Sequence, residues 1–497
     1  MRISGLGFPA LLAAAALRAA GPGWDFEQVR KLAAERASRP FDDPPPALPS
    51  CLTTLGYDEL RCIEYRREQA IWHAENLPFR LMMYHLGGPH LPHGVALNVV
   101  EGGESRPLPF RPSYFLYHEI AKKVLPSDLT NVTQFAGVRA LCRLNAPDRF
   151  DELISFLGAS YFRALGRDLV YGSSARGFYI DRNGADPEEF PRFVAFWADR
   201  PAPGDNRLDF LALLDGASVC GAFGFRVTPG EDTTVAVRAA LYARRPLSRY
   251  GLGPLTSMYW HGETGTNRFG DFRPEVHDAD GLLIQAADGS WIWRPLRNDP
   301  CLRVAEYPLP AVRGFGLLQR DRRYTSYEDI EARYHRRPSV WVEPGAGWGA
   351  GRVRLLEWPT HTEYADNIVA CWQPDRPLEP GRPQEVFWTL HWYADNPAWP
   401  PLARAVNSFV TGRRVRLDFA GPGLPADDRG PAPLADIVTD NGRVSGLHVT
   451  RGADTGWWRA GFDVVPDEPW RCNEVQAVLR DAAGRALSET WTYQLTP

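Results

Sequence analysis

Three irregular stretches of the sequence carry more carboxylates than turns require. Positions 261–281 hold Glu263, Asp271, Glu275, Asp278 and Asp280. Positions 319–338 hold Asp321, Glu328, Asp329, Glu331 and Tyr334 among a crowd of arginines. The short 359–367 turn holds Glu363 and Asp366 three apart, beside His361. A long irregular stretch inside a compact domain is usually either functional or misassigned. Taken singly, such acids read as turn residues and solvated faces. Taken as a pair from different loops, one protonated and one ionised, they meet the needs of glycoside hydrolysis. There one carboxyl protonates the leaving oxygen while the other activates water or attacks. The 17 Trp could supply platforms for the C–H faces of sugars, but Trp is equally at home in a sandwich core.

Other chemistries find little support. The sequence has no G-x-S-x-G elbow and no Walker A pattern. The Gly-rich run at 345–350 follows a Pro and leads into a strand, not the helix that a dinucleotide loop requires. His85, His90 and His93 sit in a turn without nearby acids, so neither a metal nor a cofactor is expected. None of the seven cysteines makes a C-x-x-C. In an oxidising compartment Cys51 and Cys62 could pair, and the odd count leaves at least one thiol free.

The elements that must position these acids are mostly strands. The chain has 497 residues, 44% apolar and 23% charged, with 45 Gly and 44 Pro. Many turns with many aromatic and β-branched residues indicate β-structure with long loops. A net charge of −4 excludes binding of nucleic acid by bulk charge. Residues 1–20 read as a cleavable signal peptide: an early Arg2, an apolar run too short to span a bilayer, then alanines. Export to the periplasm without stable membrane insertion follows. A short amphipathic helix is expected over 25–38, with Phe26, Val29, Leu32 and Ala33 on one face. Strand signals recur from 65 onward, including 79–84, 223–227, 282–285, 353–356 and 386–392. Helical text is confined to 115–123, 150–157 and 327–334. The Pro-rich break near 395–401 divides a large β-sandwich, 24–395, from a smaller immunoglobulin-like sandwich, 402–497. The latter closes on a hairpin of 475–480 and 488–495.

Several runs carry a family resemblance: Leu157-Gly158-Ala159-Ser160-Tyr161-Phe162-Arg163, Tyr171-Gly172-Ser173-Ser174-Ala175-Arg176-Gly177, Glu189-Phe190-Pro191-Arg192-Phe193 and Trp291-Ile292-Trp293-Arg294-Pro295-Leu296. Gly314-Phe315-Gly316-Leu317-Leu318-Gln319-Arg320 and Asp366-Asn367-Ile368-Val369-Ala370 add to them. Together they resemble the periplasmic glucan biosynthesis protein family G/D (OpgG/MdoG and OpgD), from about Phe26 to the C-terminal strand. The resemblance implies a large β-sandwich joined to an immunoglobulin-like domain, and a role in making osmoregulated periplasmic glucans with a β-1,2-linked glucose backbone. It also implies an inverting β-1,2-glucanase, or a related inverting transglycosylase that trims or cyclises the glucan.

Carried over by position, Asp278 and Asp366 match the catalytic acids, and Tyr334 and Glu363 match groups lining the proton path and the sugar. Asp280 lies outside that pattern and reads as a turn residue. Asp366 is assigned as general acid, its pKa raised by burial and by Glu363. Asp278 is assigned as general base, acting on water directly or through Tyr334; the reverse assignment stays open. The Arg-rich 320–323 segment reads as surface salt bridges or the anchor of a lid. A non-catalytic scaffold for a membrane glucosyltransferase is the alternative outside enzymology. That transferase and a second copy of the chain are the candidate protein partners.

Overall fold

The computed structural model describes residues 24–44, 48–89, 91–121, 123–124, 126–181, 188–264, 270–396 and 399–496. The expected leader and His90 lie outside them. Strands form where the apolar runs predict them, at Phe79–Tyr84, Val219–Thr228, Gly281–Ala286, Gly351–Glu357 and Gln384–Tyr393. The chain is mainly β and sandwich-like. One ten-stranded sheet contains Phe79–Tyr84, Gly137–Ala146, Arg149–Leu157, Tyr250–Ser257, Ile368–Pro374 and Gly351–Glu357. A fourteen-stranded sheet runs from Glu104–Pro107 through Val219–Thr228 and Gln384–Tyr393 to Gly281–Ala286 and the C-terminal strands. The main core lies between them: Phe156 of the first sheet meets Phe196, Phe210 and Phe225 of the second at centroid distances of 5.0, 5.5 and 5.1 Å. Large aromatic faces removed from water on both sides drive that stacking of sheets.

Toward the C-terminus, Arg404–Thr411, Arg414–Ala420, Trp458–Val465 and Arg443–Arg451 make a separate four-stranded sheet. Leu434–Thr439, Asn473–Arg480 and Thr490–Leu495 instead extend the fourteen-stranded one, because Thr490–Leu495 pairs in parallel with Trp291–Pro295. The expected terminal hairpin is present, with Ala477 opposite Trp491. Leu283, Trp293 and Trp341 cluster with Val415, Leu417, Phe419 and Trp491, so the C-terminal strands share an apolar cluster with the large sheet. Trp341, Trp372, Trp392 and Trp491 are fully buried, which assigns them to core rather than to sugar binding.

The N-terminal helix is Phe26–Ala37, capped by Asp25, whose carboxylate accepts from the N–H groups of Glu27 and Gln28. Its buried Phe26, Val29 and Ala33 pack against Trp197, Leu211 and Cys220 on the outer face of the large sheet. The other helical expectations are corrected. Residues 150–157 belong to the strand Arg149–Leu157, because pairing with Gly137–Ala146 and burial within the sheet override a helix-like spacing. Residues 115–123 begin with the strand Phe115–Tyr117, paired to Ile63–Tyr65, and continue into the 3₁₀ turn Glu119–Ala121. Residues 327–334 hold only the ends of two turns, Tyr324–Tyr327 and Tyr334–Arg336. Glu328 (φ 52°) and Arg333 (φ 51°) are left-handed and stop helical propagation. Cys51 and Cys62 are both free thiols, as are the other five cysteines. His85 is a satisfied core histidine, its ring bonded to the Leu86 carbonyl and the Tyr117 hydroxyl.

Candidate functional site

The three acid-rich loops converge because of where their strands sit. Loop 261–281 leads from Tyr259–His261 into Gly281–Ala286, and its short strand Val276–His277 folds back onto Tyr259–His261. Loop 319–338 joins Val312–Leu318 to Ser339–Pro344, neighbours of Gly281–Ala286 in the large sheet. Loop 359–367 comes from the opposite sheet, between Gly351–Glu357 and Ile368–Pro374. Buried Asn367 fastens it across. Its Oδ1 accepts from the Tyr259 N–H at 2.9 Å, and its Nδ2 donates to the carbonyls of Tyr259 and Trp358 at 3.0 and 2.9 Å.

One guanidinium ties all three loops together. Arg273 donates to both oxygens of Asp271 in its own loop, to Asp329 at 2.7 Å in the second, and to both oxygens of Glu363 at 2.9 and 3.2 Å in the third. Its hydrogen bonds hold the Asp271 carboxyl below the usual carboxylate range against the opposing effect of burial. Asp329 is also lowered: burial pushes it up, but Arg273 and the N–H groups of Ala332 and Glu331 outweigh it. Glu363 in turn accepts the Tyr334 hydroxyl at 2.6 Å. Burial raises the Tyr334 pKa and the bond to Glu363 adds to the effect, so the phenol keeps its proton. The Arg337 guanidinium lies 4.2 Å over the Tyr334 ring and ion-pairs with Asp278.

Asp278 and Asp366 therefore occupy unlike surroundings. Asp278 is buried and charge-paired. Asp366 keeps 37% of its side chain open to solvent, although protein atoms crowd its carboxyl on the other sides. Desolvation raises its pKa; Arg163 at 3.7 Å opposes this, and the Asp278 charge reinforces it. Solvent access moderates the shift. The neighbouring acid acting on Asp366 is thus Asp278 rather than Glu363, whose charge is spent on Arg273 and Tyr334. Tyr161 feels the Asp366 charge and also lines a groove of about 290 Å³ with Phe190, Arg192 and Gly158. Asp278 and Asp366 are not among the lining residues of that groove.

All four site residues anticipated from the sequence fall within this connected neighbourhood. Arg273, Arg337 and Arg163 were not anticipated. Arginine is abundant along the chain, and nothing in the spacing marks Arg273 and Arg337, whose guanidinium groups meet the acids, or Arg163 in the strand Tyr161–Ala164. Asp280 behaves as a turn residue, its Oδ2 accepting from the backbone N–H groups of Arg320 and Asp321. The Arg-rich segment is an internal anchor rather than a set of surface salt bridges. Arg320 forks onto buried Glu489 at 2.6 and 2.9 Å, and Arg322 donates to the carbonyls of Arg337 and Ala394.

Residues 24–495 match the family model described as periplasmic glucan biosynthesis protein, MdoG. The chain is 39% identical to glucans biosynthesis protein G of Ralstonia nicotianae over 504 residues, covering 98% of this chain and 99% of the relative. It is 40% identical to the protein of the same name from Rhodopseudomonas palustris, covering 97% and 96%. To glucans biosynthesis protein G 1 of Shewanella oneidensis it is 38% identical, covering 95% and 87%.

Proposed function

The chain belongs to the MdoG family of periplasmic glucan biosynthesis proteins, and from that premise we propose that it hydrolyses β-1,2-glucan with inversion. The observation that carries this reading is the contrast between two neighbouring carboxyls. Asp366 is shifted toward its protonated form while part of its side chain stays open to solvent, and Asp278 is ion-paired to Arg337. Environments that separate two acids in this way divide them into acid and base. Asp366 protonates the leaving glycosidic oxygen and Asp278 takes a proton from the attacking water. Tyr334 holds Glu363 and the cleft wall in place. Because its hydroxyl donates to Glu363, a proton relay through Tyr334 ends on Glu363 and not on Asp278. Exposed Phe272 and Tyr364, chain neighbours of Arg273 and Glu363, suit the apolar faces of glucose units. Residues 1–20 direct export to the periplasm and are removed.

The test is incubation of the mature chain with linear β-1,2-glucan, following product length and anomeric configuration. Short α-anomeric products, abolished by Asp366→Asn and by Asp278→Asn, are expected. Newly formed β-anomers, faster cleavage of another β-glucan, or no turnover would overturn the proposal. Cyclic products would replace hydrolysis by transglycosylation on the same acid pair.

A further inference from the structure

The seven cysteines take no part in the chemistry described so far, and two of them meet at one guanidinium. Cys142, Cys220 and Cys371 are buried. Burial raises the thiols of Cys142 and Cys371 to about 12 and pushes Cys220 up as well. Cys51 and Cys62 pack against the main core, and burial raises the Cys51 thiol too. Desolvation of this kind withholds the reactive thiolate. Cys301, by contrast, is exposed, and Cys472 is half-buried.

Cys301 sits in the bend that leads into Arg303–Leu309, the edge strand of the ten-stranded sheet. Arg303 Nε donates to Asp299 at 3.0 Å and closes that bend around Cys301. Asp299 is also ion-paired to Arg297 at 3.2 Å, and Arg297 donates through both terminal nitrogens to Gln494 of the C-terminal strand. Farther along, the hydroxyls of Tyr307 and Thr492 share a hydrogen bond of 2.8 Å. The edge strand therefore lies against the C-terminal strands. Cys472 stands immediately before one of them, Asn473–Arg480. Asn473 is fully buried, and its Nδ2 donates to the Asn441 carbonyl and the Thr439 hydroxyl, which anchors the backbone next to Cys472.

Arg303 joins the two thiols. Its Nη1 lies 3.6 Å from Cys472 Sγ. Burial lowers the Arg303 pKa, but Asp299 and both thiols raise it, with Cys301 acting more strongly than Cys472. Coulombic influence falls with distance, so a sulfur that outweighs one at 3.6 Å stands within a few ångströms of the same guanidinium. Residues two apart in extended chain also share a face, which puts Cys301 on the side of Arg303.

We propose that Cys301 and Cys472 form a disulfide once the chain reaches an oxidising compartment, stapling the edge of the ten-stranded sheet to the C-terminal strands. The proposal rests on the export argued above and is independent of glucan hydrolysis. The oxidant is a disulfide-bearing exchanger. The Cys301 thiolate attacks one oxidant sulfur, forming a mixed disulfide and expelling the other oxidant sulfur as a thiolate. The Cys472 thiolate then attacks Cys301 Sγ and expels the second oxidant thiolate. The two cysteines lose two electrons and two protons, and the oxidant gains them as two thiols. A bridge brings the two Cβ atoms to about 3.8 Å, so the exposed bend, rather than the anchored Asn473 side, is the part that closes.

The test uses the full mature chain, purified reduced and then incubated with excess oxidised glutathione. Alkylation in denaturant should count seven thiols in the reduced chain and two fewer after oxidation. Peptide mapping should join the segments that carry Cys301 and Cys472. The bridge closes a loop of about 170 residues, so calorimetry should show a Tm about 2–4 °C above that of the reduced chain, reversed by dithiothreitol. Cys301→Ser and Cys472→Ser should each prevent the cross-link and leave Tm the same under both conditions. In Cys472→Ser the exposed Cys301 should retain one glutathione. Loss of fewer than two thiols, a bridge to any other cysteine, or a covalent dimer through Cys301 overturns the proposal. A cross-link that leaves Tm within 1 °C of the reduced chain overturns the staple. Oxidation of the purified chain reads neither export nor glucan hydrolysis, so failure of either is told apart from failure here.

Discussion

Replacing Arg273 by alanine removes five hydrogen bonds that join three loops. It leaves Asp271, Asp329 and Glu363 facing one another, with side chains only 13, 10 and 21% exposed. Removing one partner from a buried ion pair costs about 3–5 kcal/mol, because the remaining charge stays desolvated. Unfolding entropy of ~2.1 cal/mol/K per residue gives about 1 kcal/mol/K for 497 residues, so Tm should fall by about 3–5 °C. The pH dependence has a definite sign. Asp271 and Asp329 are lowered in the folded state. Their pairing therefore stabilises fully above the unfolded carboxylate value of about 3.9, and that stability is lost as pH falls through the folded values below it. Calorimetry of both proteins should show the full gap at pH 7 and a narrowing gap below about pH 4. Arg273→Lys keeps the charge but not the planar fork, and should recover less than half of the loss. A Tm within 1 °C of the unaltered chain at pH 7 refutes the claim that this arginine ties the loops together, and so does a gap that ignores pH.

The same network yields further outcomes. Tyr334→Phe deletes the 2.6 Å bond to Glu363 but leaves that acid on Arg273; a stability loss of about 1–2 kcal/mol and a lower kcat at little-changed KM are expected from chemical denaturation and steady-state kinetics. Arg163→Ala removes the cation that holds Asp366 down. A general acid works only while protonated, so the alkaline limb of the pH–rate profile of the proposed glucan hydrolysis should move to higher pH. Glu489→Ala strips Arg320 of both its carboxylate bonds in a site where the acid is fully buried, and should cost about 3–5 kcal/mol by calorimetry.

Much of the fold was legible because burial leaves periodic marks. Val386 to Trp392 alternates as a strand with one face turned inward, and the structure keeps the register as Gln384–Tyr393. The segment 150–157 defeated the same approach. Phe150, Leu153, Ile154 and Leu157 fit a helical face, and only the antiparallel partner at Gly137–Ala146 decides for a strand. Within the site, the excess of acids in three irregular stretches was visible, because turn chemistry does not need that many. Their partners were not. Arg273 looks like any other arginine until strands distant in sequence bring Asp329 and Glu363 to its fork. The histidine cluster at 85–93 stands out by spacing, whereas His277 is a lone histidine whose ring is held by Glu275 and by Gln319, more than forty positions away.

The division of labour between loops explains why the acids can differ while sitting close together. Loop 261–281 ends on Gly281–Ala286 and loop 319–338 joins Val312–Leu318 to Ser339–Pro344, so neighbouring strands of the large sheet fix their spacing. Asp278 lies in the first of them and reaches Arg337 at the end of the second, so its counter-charge is supplied from within one sheet. Asp366 arrives from the opposite sheet on a turn held by Asn367. Its nearest cation, Arg163, lies on its own sheet in the strand Tyr161–Ala164, at 3.7 Å, too far for a tight ion pair. Packing two sheets face to face thus brings an acid with little compensation against one that is well compensated. A mutation that merely loosened the sandwich would change the separation of the two carboxyls. One that exchanged their counter-charges would change which of them holds the proton.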